Sequence, residues 1–220
     1  MRTKLPKDWQ KALTALEKTY GDLSFSEELL VKISGHKKPV TVAIDGRCCA
    51  GKTTLASVLA EITGCDVIHM DDFFLPKELR TEERFQTPGG NVHYERVLEE
   101  VIPHLQDGRE FTYRTFDCKN MTLSGTRTIC PSDIHIIEGS YSHHPQLVSH
   151  MDVTVFLDAD AQTQKSRIEN RNGKEMLPVF INRWIPMEEL YFTACHTEEN
   201  AQFVYCTNGN TWYNKSYVRE

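Results

Sequence analysis

Nowhere does this chain approach the run of about 18 apolar residues that a membrane-spanning helix requires. Its first residues, Met1-Arg2-Thr3-Lys4-Leu5-Pro6-Lys7-Asp8, carry charges with no apolar stretch behind them, so neither a membrane anchor nor a secretory leader is expected. Basic residues are in deficit, 25 Lys and Arg against 31 Asp and Glu, for a formal net charge of -6. A broad grip on nucleic acid needs clustered cations to displace phosphate counterions, and that partner class is not expected here. The seven cysteines are odd in number and stand in no C-x-x-C or zinc-finger spacing. That excludes the disulfide framework of a small secreted domain and points to reduced thiols in the cytoplasm. There is no internal repeat, no low-complexity tract and no N-K-x-D element for reading guanine, which argues against repeat arrays and GTPase switches.

What is present suffices for one sizeable core: 40% of the 220 residues are hydrophobic and 10% aromatic. Trp9, Ala12, Leu13 and Leu16 recur at helical spacing, and a second short segment follows from Glu27 to Ile33. Residues 1–39 therefore read as a helical extension packed on the rim of a core. Val40 to Ile44 is a short apolar run ending at Asp45-Gly46, and Leu55, Val58, Leu59 and Ile62 then recur at helical spacing before Gly64. Three more compact runs, Val67 to Met70, Ile134 to Ile137 and Val153 to Leu157, read as buried parallel strands, with Phe203 to Tyr205 as a fifth. Acids follow three of these strands, at Asp71, Glu138 and Asp158. Ligands of open α/β sheets lie beyond the carboxyl ends of strands, although acids also gather there simply because the chain turns into solvent.

The stretch between the second and third of these strands is too long for a plain crossover and is expected to form an inserted subdomain over residues 76–130. Within it, Val97, Leu98, Val101, Ile102 and Leu105 predict one amphipathic helix before Gly108. Phe111 to Tyr113 and Arg127 to Ile129 predict a hairpin over a loop containing Ser124-Gly125.

The strongest chemical signal is Gly46-Arg47-Cys48-Cys49-Ala50-Gly51-Lys52-Thr53, a full G-x-x-x-x-G-K-[ST] match placed between a strand and a helix. Glycines let backbone N–H groups curl around phosphate oxygens, and the helix N-terminus that follows adds partial positive charge. Lys52 is then expected on the β- and γ-phosphates and Thr53 on Mg2+, with Thr54 supporting the first helical turn. Cys48 and Cys49 read as small loop fillers, the alternative being a thiol activated near a helix N-terminus.

A second acidic element separates phosphoryl transfer from mere nucleotide binding. Asp71, in His69-Met70-Asp71-Asp72-Phe73-Phe74, is the candidate to take the proton of an attacking hydroxyl and to reach the metal, with Asp72 a candidate cap of the next segment. Ile136-Ile137-Glu138-Gly139-Ser140-Tyr141 supplies Glu138 to the metal shell. Arg167 and Arg171 fall four apart on a helix ended by Asn172-Gly173, a spacing that suits a lid over transferring phosphate. Trp184, Pro186, Glu188 and Tyr191-Phe192 read as packing for the return of that lid, and His143-His144 as a loop without the partners a zinc site needs.

Together these segments resemble the uridine kinase and phosphoribulokinase family of P-loop kinases. The residues that carry the resemblance are Asp45-Gly46 through Lys52-Thr53-Thr54, Met70 to Phe74, Tyr113-Arg114-Thr115-Phe116-Asp117 and Ile137 to Tyr141. It implies an α/β P-loop nucleoside-triphosphate hydrolase fold, with a five-stranded parallel sheet flanked by helices and an inserted acceptor-binding subdomain. The kinase domain is then expected over 40–220, with a lid and return segment over about 161–192. The resemblance further implies that Asp71, Lys52, Arg167 and Arg171 are catalytic, that Glu138 lies near Mg2+, and that Tyr113 and Phe116 line the acceptor pocket. Where uridine kinases carry an Asp for the ribose hydroxyls, the segment Asn91 to Arg96 offers His93, an imidazole in place of a carboxylate.

The expected activity is transfer of the γ-phosphate of ATP or GTP, with Mg2+, to a hydroxyl of a nucleoside or related ribose-like molecule. The competing expectation is a nucleotide-dependent regulatory or binding module with slow ATP hydrolysis. Either is expected in the cytoplasm, with small-molecule partners and scope for homo-oligomers.

Overall fold

The computed structural model describes residues 1–208 and 212–215, so the parts of the expected kinase domain at 209–211 and 216–220 lie outside the described residues. Two helices come first, α1 (Lys7–Tyr20) and α2 (Glu27–Gly35). Trp9 and Leu13, one turn apart on α1, join Leu29, Leu30 and Ile33 of α2 in the apolar cluster that covers one face of the sheet. Next come β1 (Val40–Gly46), α3 (Lys52–Thr63) and β2 (Val67–His69). The insertion follows, with α4 (Glu82–Gln86), α5 (Tyr94–Glu100) and a hairpin of β3 (Phe111–Asp117) and β4 (Thr122–Ile129). The chain then returns through β5 (Ile134–Glu138), β6 (Val153–Asp158) and α6 (Ala161–Asn172). A short α7 (Leu177–Val179) and a π-helical stretch, Phe180–Trp184, run into α8 (Ile185–Cys195), and β7 (Phe203–Cys206) and β8 (Tyr213–Asn214) complete the described elements.

The sheet order is β2-β5-β1-β6-β7-β8. The first five strands are parallel, as expected, and the two-residue β8 adds an antiparallel edge. β1 and β5 are buried at every position, the signature of strands covered on both faces. Because β1 lies between β5 and β6, its carboxyl end opens beside Glu138 on one flank and Asp158 on the other. Among the described residues no helix is long and apolar enough to cross a membrane.

Two local expectations are corrected. The single helix over 97–105 stops at Glu100 and resumes as a 3-10 turn at Ile102–His104, because Pro103 has no N–H to donate and its ring crowds the carbonyl four residues back. The hairpin pairs Phe111 with Ile129 and Tyr113 with Arg127 as expected, but Ser124-Gly125 lies inside β4. The reversal falls at 118–121, where the Asp117 carboxylate accepts the N–H of Lys119 and of Asn120, a side-chain-built turn that outcompetes the glycine signal.

Arg96 and Glu100 seat the insertion on the sheet. Arg96 is 2% exposed, lies 4.8 Å over the Phe73 ring and donates to Glu100 Oε1 at 2.9 Å and to the carbonyls of Asp72 and Arg114. Burial pushes the Glu100 carboxyl up, but hydrogen bonds from Arg96 and Arg114 outweigh it and hold the group at about 2. A depressed folded-state pKa contributes stability above the unfolded value and loses it on acidification. That contribution should fade between pH 4.5, the ordinary Glu value, and about 2. Glu100→Gln leaves a buried guanidinium uncompensated, so at neutral pH it should cost about 3 kcal/mol and lower the thermal midpoint by roughly 6 to 12 °C. Lys174→Ala, at a pair whose lysine is 87% exposed, should stay within about 0.5 kcal/mol. Melting curves of both variants from pH 7 to 3 check this, with the gap between Glu100→Gln and the unmodified chain closing toward acid.

Candidate active site

The phosphate loop leaves β1 through a carboxylate. Asp45 is fully buried and accepts from the N–H of Gly46 at 2.7 Å, of Tyr141 at 3.2 Å and of His143 at 2.8 Å, and from the Tyr191 hydroxyl at 2.8 Å. Gly46 then takes φ +132°, and a Cβ there would stand 2.1 Å from the Leu157 carbonyl oxygen, so only glycine passes β6 this closely. Arg47 N–H donates to that carbonyl and Ala50 N–H to Arg47 O, closing the curl. Gly51, left-handed at φ +97°, caps α3, whose first N–H groups have no intrahelical acceptor and offer an anion a partial positive charge.

Lys52 is 9% exposed and its ammonium rests on the carbonyls of Gly46 at 2.6 Å and Arg47 at 2.9 Å. Thr53 Oγ1 lies 3.3 and 3.4 Å from the two carboxylate oxygens of Glu138, and His69 Nδ1 holds one of those oxygens at 2.6 Å. Asp71, on the 3-10 turn that follows β2, is open to solvent. Burial by the surrounding protein, together with the charge of Glu138, pushes its carboxyl above the usual range, against the pull of Lys52, Arg171 and His69. Lys52, Thr53, Asp71 and Glu138 are therefore brought together, as the sequence pattern anticipates.

A magnesium nucleotide fits this donor set. Thr53 and Glu138 present hard oxygens to one point beside backbone donors, and a Mg2+ ion that shares its shell with phosphate and water needs only one or two protein ligands. The described residues contain no cluster of three or more His, Cys, Asp or Glu that could hold a metal by itself.

Other expected residues take different places. Arg47 turns onto Asp158 at 2.8 Å and onto Glu189, so its part in the loop is played by its backbone. Burial raises the Cys48 and Cys49 thiols, which favours filler over an activated thiolate. Arg167 does not stand as a lid residue: its guanidinium donates to Cys49 O at 3.2 Å, Thr207 Oγ1 at 2.9 Å and Thr207 O at 2.7 Å, tying α6 to the loop and to the end of β7. Arg171, one turn on, donates to Asn172 Oδ1 and acts electrostatically on Asp71 and on the two loop cysteines. Thr54 is exposed on the first turn of α3.

On the acceptor side the corrections are larger. Tyr113 is 1% exposed, stacks on Phe73 at 5.1 Å between centroids, and donates its hydroxyl to Asp72 Oδ2 at 3.0 Å. It is a core residue that holds Asp72, and Asp72, also bonded by Arg127, braces the hairpin where a cap was expected. Phe116 is likewise buried, at 7% exposure. His93 is half-buried at the start of α5, its N–H on Phe73 O, and burial lowers its imidazole pKa and keeps it neutral. Its Nδ1 has no hydrogen-bond partner among the described residues.

Sequence reading missed two acids. Asp45 stands immediately before the loop and enters the sequence reading as the end of an apolar run and as part of the family resemblance, with no role of its own. Glu188, read as lid packing, accepts Cys48 N–H at 3.0 Å and the Ser140 hydroxyl at 2.7 Å. The available signal was a Glu and a Tyr three apart, at 188 and 191, on one face of a largely apolar helix.

No family model matches the chain. It is 27% identical over 144 residues to uridine-cytidine kinase B of Dictyostelium discoideum, a match covering 61% of this chain and 58% of that protein. It is 23% identical over 152 residues to a probable uridine-cytidine kinase of Caenorhabditis elegans, covering 61% and 60%. It is 28% identical over 155 residues to uridine kinase of Bacillus cereus strain B4264, covering 64% and 70%. The chain thus spans about three fifths of the length of the first two relatives. A possible uridine kinase from Bacillus stearothermophilus superposes with a TM-score of 0.60 at 24% identity, over 89% of this chain and 97% of that one. In sequence the chain is similar to uridine kinases, and in fold to P-loop kinases. A putative fructose transport system kinase from Silicibacter sp. TM1040 shares the fold, with a TM-score of 0.61 at 20% identity over 77% and 93% of the two chains.

The backbone path at Gly46 is the most exacting requirement of the loop. Gly46→Ala should weaken MgATP binding at least 10-fold, whereas Gly35→Ala, where nothing lies within 4 Å of the added Cβ, should leave it unchanged. Isothermal titration of both variants with MgATP checks the contrast.

Proposed function

We propose that this chain is a small-molecule kinase that transfers the γ-phosphate of ATP, or GTP, to a hydroxyl of a nucleoside-like acceptor. The observation that carries the reading is the convergence of Asp71, Glu138, Lys52 and Thr53 at the carboxyl ends of β1, β2 and β5. Nucleotide binding alone does not call for a second carboxylate beside the metal-facing acid; accepting a proton from an attacking hydroxyl does.

In this reading the backbone donors of the loop and the ammonium of Lys52 hold the triphosphate. Thr53 and Glu138 would hold Mg2+, which when bound neutralises charge on the phosphate oxygens. Asp71 orients the acceptor hydroxyl and takes its proton as the new O–P bond forms and the bond between the γ-phosphorus and its bridging oxygen breaks, releasing the nucleoside diphosphate. Arg171 adds positive charge from the α6 side. The insertion, with His93 at its inner edge, supplies the acceptor wall. Uridine and cytidine lead the acceptor candidates because the curated relatives are named for them, and reduced thiols at all seven cysteines fit a cytoplasmic setting.

Offered uridine, cytidine, other ribosides and sugar phosphates with MgATP, the chain should release ADP only when an acceptor is present. Asp71→Asn should lower kcat about 100-fold or more while MgATP affinity stays within threefold. ADP release that ignores every acceptor and rises only with an added protein would replace the kinase by a regulatory nucleotide-binding module.

A further inference from the structure

A buried carboxylate with no cation bonded to it needs a reason, because an amide or apolar side chain of similar volume fills the same space without taking charge out of water. Glu188 is such a group. It is 6% exposed, and its two oxygens are taken by neutral donors, the backbone N–H of Cys48 at 3.0 Å and the hydroxyl of Ser140 at 2.7 Å. Lys52, whose charge acts on it, is bonded instead to the carbonyls of Gly46 and Arg47. One donor belongs to the phosphate loop and the other to the turn after β5, directly beyond Glu138.

A curl of successive backbone N–H groups favours an anion, and here the helix that follows α7 supplies one to the first half of that curl. Three residues on, Tyr191 reaches from the same face of α8 to Asp45 at 2.8 Å. Asp45 in turn collects the N–H of Gly46 and those of Tyr141 and His143. Two side chains on one helical face therefore hold both walls of the phosphate site.

We propose that Glu188 is a positioning residue for the phosphate loop: by accepting Cys48 N–H and Ser140 O–H it sets the first half of the loop against the β5 turn and leaves the donors at the start of α3 to the phosphates. The inference rests on the reading of the loop as a nucleoside-triphosphate site and adds to it a side chain 136 positions beyond Lys52 in the chain. It also ties α8 mechanically to loop geometry, so the segment after α6 and the phosphate site share one fixed point.

The test compares the wild-type chain with Glu188→Ala and Glu188→Gln by titration with MgATP and by amide hydrogen exchange across residues 46–49. A glutamine oxygen still accepts from Cys48, and its NH2 donates to Ser140 Oγ, so Glu188→Gln should keep MgATP affinity within threefold and keep the Cys48 amide protected. Glu188→Ala should bind MgATP at least 10-fold more weakly and lose that protection. Rescue by glutamine is the result that a requirement for charge does not give. Glu188→Ala with unchanged affinity, or Glu188→Gln falling as far as Glu188→Ala, overturns the proposal. If Glu188→Ala does not fold, Ser140→Ala carries the same test, with affinity about threefold lower expected and unchanged affinity overturning it. A wild-type chain that binds no MgATP overturns the functional reading and this one with it, whereas wild-type binding with an unaffected Glu188→Ala overturns this one alone.

Discussion

Asp45 is a carboxylate with no exposure, held at the point where the central strand becomes the phosphate loop. Removing such a charge from water costs several kcal/mol, and the compensation is four hydrogen bonds drawn from three separate parts of the chain. Gly46 N–H comes from the loop, Tyr141 and His143 N–H from the turn after β5, and the Tyr191 hydroxyl from α8. Charge-assisted bonds of this kind are directional, so each segment is located relative to the others and not merely collapsed onto them. The positions of Glu138, Ser140 and Glu188 follow from that constraint.

On the loop side the cations are likewise committed to partners within the protein. Lys52 is seated on loop carbonyls, Arg47 on Asp158 and Glu189, and Arg167 on Cys49 and Thr207. These cations bind the protein to itself. Arg171, which donates to its own neighbour Asn172, is the arginine that acts on Asp71, so on the kinase reading the arginine charge available to the transferring phosphate lies at the α6 end and not in the loop.

Contiguous features were legible in the sequence. The run Gly46 to Thr53 specifies its own conformation through glycines at Gly46 and Gly51, and Gly173 closes α6 where Asn172-Gly173 marked its end. Five parallel strands could be read because strands covered on both faces are apolar throughout. What could not be read depends on partners far apart in the chain: Asp45 meets Tyr191 across 146 positions and Cys48 meets Glu188 across 140. Nor does alternation along β3 tell which face is covered. The family resemblance implies that Tyr113 and Phe116 line the acceptor pocket, whereas both are buried and Tyr113 stacks on Phe73 in the core. Ser124-Gly125 misled for a related reason, since Asp117, five residues before β4 begins, built the turn first.

These reassignments bear on what an acceptor can meet. With the Tyr113 hydroxyl given to Asp72, the wall expected to read the acceptor loses its phenol and keeps, at the inner edge of the insertion, a neutral His93 whose Nδ1 has no partner among the described residues. A neutral imidazole has one donor and one acceptor nitrogen, whereas a carboxylate accepts from both hydroxyls of a vicinal diol at once. On the kinase reading, selection of the acceptor therefore depends less on gripping a diol than on placing a single hydroxyl against Asp71. That demand is met by any acceptor whose remaining shape fills the space between the insertion and α8, which is why the phosphate half of this site is specified by its motif and the acceptor half by its walls.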